Sequence, residues 1–401
     1  MSKWFALMIL AVVLVITPAI THAQDGISLL DSSAQIFFPS ALTFNVKAQS
    51  NSNIVKLRLH YQVDRMNYAP VTDEAWPVFT PSPKVQAQWV WNMRKASLPV
   101  GASINYWWTI EDASGDTLTT PTQTIRFDDI RYDWQKVTSG PITIFWYRGN
   151  KAFADQLMAA CEQALYRLAQ DTGIHLEHPV SIYIYASQGD LLSAMVFPNE
   201  WTGGAAYAEF GIIAQSAPAN DLEWVKRSLA HELGHLVTHQ ITFSPYGAIL
   251  PTWLDEGLAM YAEGEQDLVL KSIFEKAASR DNLISVRSLA SPFSAITGEA
   301  LLSYGESQSI AWFLIQNYGG DKMFQLLNLF KEGNTYDDAL MQVYGFDQDG
   351  LDAIWQKYIT SLVPSQSQMN YIPSTETAKE DYLWNEIVSK FLIANVQLEV
   401  N

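Results

Sequence analysis

The sequence predicts a multi-domain chain: an N-terminal antiparallel β-sandwich, immunoglobulin-like in form, followed by an α+β domain whose C-terminal half is helical. Three observations carry this. Between about Ile27 and Asp133 apolar residues recur with period two in short runs, the signature of half-buried strands. From Ile142 strand and helix patterns alternate, and beyond about Gln266 only helical spacing remains. The 401 residues are 48% hydrophobic and 12% aromatic, enough for more than one core.

Met1 to Ala23 reads as a secretory signal: Lys3, an apolar run from Trp4 to Ile16, Pro18, and a small-residue site at Thr21-His22-Ala23. Its rival is an uncleaved membrane anchor, and no later segment looks transmembrane. Residues 27–135 form the sandwich. Its alternating runs include Phe44-Val46-Ala48, Leu57-Leu59-Tyr61-Val63, Val85-Ala87-Trp89-Trp91 and Ile104-Tyr106-Trp108-Ile110. Ser50-Asn51-Ser52, Pro81-Ser82-Pro83 and Ala113-Ser114-Gly115-Asp116 separate them as turns. The tryptophans are read as core, against the alternative of a carbohydrate-binding face.

Asp133 to Pro141 is a junction, and residues 141–363 form the second domain. It opens with a strand (Ile142 to Tyr147), a helix (Ala152 to Asp171) and a strand (Val180 to Tyr185). Cys161, the only cysteine, lies in that helix among alanines and reads as a buried inert thiol. Gly203 to Ala214 reads as a further strand. Helices follow at about Gln266–Ala278, Gly305–Tyr318, Asp321–Lys331, Tyr336–Tyr344 and Gln348–Leu362, with Asn317-Tyr318-Gly319-Gly320 as a helix stop. Residues 364–401 are a polar linker and an amphipathic helix at about 378–394. The net charge of -17 argues against general affinity for nucleic acid or anionic lipid.

The chemistry is concentrated in Ser228-Leu229-Ala230-His231-Glu232-Leu233-Gly234-His235. Leu222, Val225, Leu229, Leu233 and Leu236 recur at helical spacing, and Asn220 with Glu223 resembles a capping box at the start. Four residues apart on a helix, His231 and His235 point to one side, as two ligands of one metal ion must. Glu232 projects about 100° from His231, beside such a metal, where it suits a general base. A second helix begins near Thr252, with Thr252 and Asp255 as its capping pair, and places Glu256 in its first turn. Glu256 completes a His2Glu set with one open position, the catalytic rather than structural pattern for zinc. Gly257 would let the two helices approach closely. His239, one turn beyond His235, reads as an exposed or supporting histidine.

His231-Glu232-x-x-His235 followed by Trp253-Leu254-Asp255-Glu256-Gly257-Leu258-Ala259-x-Tyr261 resembles the gluzincin metallopeptidases, most closely the peptidase MA-like group of secreted bacterial proteins. The resemblance covers roughly residues 141 to 363. It implies a thermolysin-like catalytic domain, one Zn2+ on His231, His235 and Glu256, and Glu232 as base. It further implies that Gly204, Ala205 and Ala206 lie on the sheet edge along which substrate backbone pairs. Tyr304 would stabilise the oxyanion. Thr238 and Ile241 stand where a metzincin has Gly and His, and the amine-gripping Gly-Ala-Met-Glu-Asn strand of related aminopeptidases is missing. The expectation is therefore a secreted zinc metallopeptidase acting on peptide or protein substrates, as an endopeptidase. The competing expectation is an inactive zinc-containing scaffold that binds a cell-wall component or a partner.

Overall fold

The computed structural model of the protein describes residues 26–197, 203–218, 221–247, 249–264 and 267–362. The signal segment and the C-terminal helix read at about 378–394 lie outside the described residues.

The N-terminal region is antiparallel throughout: β1 (Ser28–Phe37), β2 (Ala41–Val63), β3 (Asp73–Ala75), β4 (Ser82–Asn92), β5 (Ser103–Asp112), β6 (Thr117–Thr119) and β7 (Gln123–Arg126). Here the architecture departs from the expected pair of immunoglobulin-like sheets. Ser50-Asn51-Ser52 is not a turn but part of one 23-residue strand, β2, whose register slips between Gln49 and Ile54. The first half of β2 pairs with β1 and β4, the second with β3 and β5. Phe44 in the first half meets Tyr106 of β5 with ring centroids 4.9 Å apart, and Tyr61 in the second meets Trp89 of β4 at 5.3 Å. The halves thus face each other across a core of Leu42, Phe44, Leu57, Leu59 and Trp108. A bulge bends a strand without ending its pairing, so one hydrogen-bonded sheet folds over itself. Trp108 is fully buried, while Trp89 and Trp91 are partly buried against the same core.

A second sheet contains β8 (Gln135–Ser139), β9 (Ile142–Trp146), β10 (Val180–Tyr185), β11 (Gly204–Tyr207) and β12 (Ile212–Ser216), in the order β11-β12-β10-β9-β8. The helix α1 (Lys151–Thr172) links the parallel pair β9 and β10, the crossover that parallel strands require. Cys161 on α1 is fully buried, and burial pushes its thiol up to about 12, so it is inert. A short α2 (Gln188–Leu192) follows β10. Gly203 to Ala214 is not one strand. Ala208–Phe210 form a 3-10 turn and Gly211 adopts φ +63°, which reverses the chain and makes β11 and β12 an antiparallel pair with β11 at the edge.

The rest is helical: α3 (Leu222–Thr242), α4 (Thr252–Glu263), α5 (Leu268–Ala278), α6 (Val286–Leu289), α7 (Thr297–Tyr318), α8 (Gly320–Lys331), α9 (Tyr336–Tyr344) and α10 (Gln348–Leu362). α7 starts two turns before the expected Gly305 and ends, as read, at Gly319, with φ 87°. Val225, Leu229, Leu233 and Leu236 of α3 are completely buried, in one core with α1, α4, α7 and the sheet. Among the described residues no helix is long and apolar enough to cross a membrane.

Candidate metal centre

α3 is buried on nearly every side from Ser228 to Thr238, not along one stripe. Its polar residues are therefore buried too: His231, Glu232 and His235 are 2, 4 and 6% exposed. Burying such groups is costly unless each finds a partner. The partners come mostly from α4, which reaches α3 at one close point. A Cβ on Gly234 would lie 2.8 Å from Ala259 Cα and 3.0 Å from Ala262 Cβ. Gly257, expected to face α3, abuts α7 instead, where a Cβ would lie 2.5 Å from Ser307 O. Nor do Thr252 and Asp255 cap α4. Pro251 holds the N-cap position, and Asp255 turns to the histidines. α3 itself starts on Asp221, whose side chain accepts from Trp224 N–H. Asn220 lies outside the described residues.

Three acceptor atoms converge between these helices. His231 Nε2 and His235 Nε2 are 3.1 Å apart. Glu256 Oε2 lies 3.3 Å from the first and 3.4 Å from the second, too poorly directed for a hydrogen bond, so it is buried without a hydrogen-bond partner. Each imidazole is fixed from behind: His231 Nδ1–H donates to Glu263 Oε1 at 2.8 Å and His235 Nδ1–H to Asp255 Oδ1 at 3.1 Å. With the proton on Nδ1, each Nε2 presents its lone pair to the convergence point. Two lone pairs and a carboxylate oxygen so close repel unless a cation lies among them. The residues therefore fit a divalent metal held by His231, His235 and Glu256.

Without a metal the surrounding carboxylates favour the charged imidazoles, so a cation reaching Nε2 must displace a proton from each ring. Burial alone would lower the His231 imidazole, but Glu256 and Glu263 outweigh it and leave it at about 9. Burial likewise opposes charge on His235, and Asp255 and Glu256 raise it well above the usual range. Burial would raise Glu256, yet His235 and His231 hold it below its ordinary value. A second group, His235, His239 and Asp255, is also compact. There, however, Asp255 already accepts from His235 Nδ1 and, through both oxygens at 3.1 Å, from His239 Nε2. His239 supports the support.

Glu232 stands beside the convergence point and touches the sheet edge. Burial pushes its carboxyl up to about 7, with His235 and His231 pulling the other way and the Ala206 N–H donating to it. A Cβ on Gly204 would run into Gln215 Oε1 and come within 3.0 Å of Glu232 Oε1, so only glycine fits there. Ser216 N–H donates to Gly203 O. By the alternation of an antiparallel pair, Gly203 and Ala205 then bond inward to β12, while Gly204 and Ala206 face outward. Of the three residues expected on the substrate edge, Gly204 and Ala206 thus flank Glu232, and Ala205 sits opposite Ala214. Tyr304 is not at a helix start. It lies two turns into α7, buried in a cluster with Met260, Leu270 and Leu301, its ring edge-on to Phe293 at 5.2 Å.

Sequence reasoning missed Glu263, seven residues after Glu256 and so on the same helical face; that periodicity was the available signal. It also missed Gln215, whose buried amide donates to Gly203 O and Ser216 O and accepts from Ser228, tying β11 to α3.

Two imidazoles and a carboxylate on paired helices, a further carboxylate and an edge strand beside it make an arrangement of the metallopeptidase-like kind. The chain belongs to the peptidase MA superfamily, whose family profile matches residues 160–361. No curated protein matches it. Among solved structures, an aminopeptidase N family protein from Idiomarina loihiensis aligns at 9% identity over 86% of this chain and 73% of that one, with a TM-score of 0.30. OgpA from Akkermansia muciniphila aligns at 11% identity over 28% of this chain and 31% of that one, TM-score 0.21. A family 56 carbohydrate-binding module, a β-1,3-glucan binding domain, aligns at 18% identity over 24% and 96%, TM-score 0.17. Scores this low do not establish a shared fold.

Proposed function

We propose that the protein is a zinc-dependent peptidase of the gluzincin type, hydrolysing peptide bonds with His231, His235 and Glu256 as metal ligands and Glu232 as general base. The observation that carries it is the buried convergence of His231 Nε2, His235 Nε2 and the unpartnered Glu256 Oε2, with Glu232 between that point and the edge of β11. Zinc bound there would supply Lewis acidity, polarising a carbonyl oxygen and making water acidic. The chain's own groups do the rest. Glu263 and Asp255 keep both imidazoles in the tautomer that offers Nε2. The outward backbone of Gly204 and the carbonyl of Ala206, whose N–H is held by Glu232, would pair with an extended peptide and lay its scissile bond alongside Glu232. Glu232 takes the proton of the attacking water and passes it to the leaving nitrogen. Burial favours its neutral form, which suits a carboxyl that must hold a proton midway through the cycle.

The reading keeps Tyr304 as the donor to the developing oxyanion. Tyr304→Phe tests it, because the ring's packing remains and only the hydroxyl is lost. A secretory signal over residues 1–23 would place the enzyme outside the cytoplasm, which amino-terminal sequencing of the mature chain tests. The central experiment is metal content together with hydrolysis of a mixed peptide library, for wild type and Glu232→Gln. One zinc per chain in both, with cleavage only by wild type, is the expected result. Equal cleavage by both rejects Glu232 as base; zinc without cleavage in either favours a binding scaffold.

A further inference from the structure

The loop between β2 and β3 leaves the N-terminal region and fastens onto both walls of the site. On one side, Met66 N–H donates to Glu209 O at 2.7 Å and Arg65 pairs with the Glu209 carboxylate at 3.3 Å. Glu209 lies in the 3-10 turn that directly follows β11. On the other side, the Tyr68 hydroxyl donates to Phe243 O at 2.6 Å. The Tyr68 and Phe243 rings stack with centroids 4.8 Å apart and planes inclined by 2°. Phe243 is the C-cap of α3. Five residues of the N-terminal region thus bridge from the end of the edge strand to the end of the histidine helix.

Resting on the peptidase reading above, we propose that this loop, Asp64 to Tyr68, closes one end of the substrate cleft and makes the enzyme cut close to an end of its peptide. Pairing of a substrate with Gly204 and the Ala206 carbonyl would run along β11, but beyond Tyr207 the edge is taken: the backbone acceptor of Glu209 is already bonded to Met66. Glu232 marks the reacting bond beside Ala206, three positions before Glu209. The extended edge adds one step of about 3.3 Å to Tyr207 and the 3-10 turn about 2 Å for each of Ala208 and Glu209, so about 7 Å remains, room for about two substrate residues on the Tyr207 side. A longer extended chain meets Met66 and the Arg65–Glu209 pair. The preferred substrate is therefore a peptide with one short arm, held by its backbone.

The test is a peptide series around one scissile bond, extended a residue at a time on either side. Each peptide is assayed for kcat/KM with the zinc-loaded wild type, with Tyr68→Ala, and with Arg65→Ala/Tyr68→Ala. Affinity for the same peptides is measured by fluorescence anisotropy on the zinc-loaded Glu232→Gln protein. On one side only, a third residue is expected to lower wild-type kcat/KM and affinity by about tenfold, the equivalent of about 1.4 kcal/mol. The double variant should recover most of that loss, with Tyr68→Ala intermediate. Cleavage indifferent to length on both sides overturns this proposal alone, as does a length limit unchanged in both variants. Failure to cleave or bind any peptide overturns the peptidase reading and the proposal with it.

Discussion

Gly234→Ala separates metal affinity from stability. The new Cβ would lie 2.8 Å from Ala259 Cα and 3.0 Å from Ala262 Cβ, whereas ordinary contact begins at 3.4 Å. α4 must then withdraw by about 0.6 Å, the difference between 2.8 and 3.4 Å. The global cost is modest: overpacking costs about 1–3 kcal/mol, offset by about 1 kcal/mol for replacing a helical glycine with alanine. The local cost is larger, because Ala259 is one turn beyond Glu256 and carries that carboxylate with it. Ligand distances tolerate only about 0.2 Å, so zinc affinity is expected to fall about tenfold or more. Competition against a chromophoric chelator reads the affinity, and urea unfolding of the metal-free protein reads the stability. Gly298→Ala in α7, where a Cβ meets nothing within 4 Å, is the control: zinc affinity should stay unchanged while stability rises by up to about 1 kcal/mol. Wild-type zinc affinity in Gly234→Ala would refute the argument that this contact sets the Glu256 position.

Asp255→Asn keeps the shape but removes the charge that orients His235 and His239, and zinc affinity should drop about 10–100-fold; an unchanged competition curve rejects that role. Glu263→Gln should do the same through His231, with the same readout. Glu306 on α7 is fully buried, accepts from Ile284 N–H, and is pushed up to about 8 by burial. Its folded form thus holds a proton that the unfolded chain gives up near its ordinary value of 4.5. Between those values the folded state binds more protons, so stability falls as pH rises from about 4.5 to about 8 and then levels. Glu306→Gln should remove a penalty of a few kcal/mol, at roughly 1.4 kcal/mol per unit. Its Tm should exceed wild type at pH 9 and match it near pH 4; a difference independent of pH would refute this.

What was legible in the sequence was whatever one helix fixes by itself. The spacing of His231 and His235 and the place of Glu256 in a first turn need only helical geometry, and the structure brings those atoms together. What depended on how two elements meet was not legible. Gly257 and Gly234 look alike in the sequence, yet only the packing of the helices assigns the first to α7 and the second to α4. The sequence presents Asp255 as a cap because local capping is the only partner in view, whereas its oxygens accept from two rings on another helix. The sequence pattern overextends the edge strand because Ala208, Glu209 and Phe210 carry no turn residue, and only Gly211 in the left-handed region betrays the reversal. Ser50-Asn51-Ser52 was the opposite error, turn-like residues in a strand that bends without breaking.

The histidine helix could not be buried all round as an isolated amphipathic element; its polar residues are tolerable inside because Asp255, Glu256 and Glu263 of α4 and the amide edge of β11 answer them one by one. The only buried acceptor in that set left without a hydrogen bond is Glu256 Oε2. A core meant only for stability would fill that position with an apolar side chain, since an unanswered carboxylate is costly. Retaining it makes sense if a cation completes it. That cost ties folding of α4 against α3 to metal loading, so a chelated sample should lose protection in exactly these two helices before the sheet, a pattern hydrogen exchange can resolve. Uniform loss across α3, α4 and β9–β10 would break the link between Glu256 and the metal.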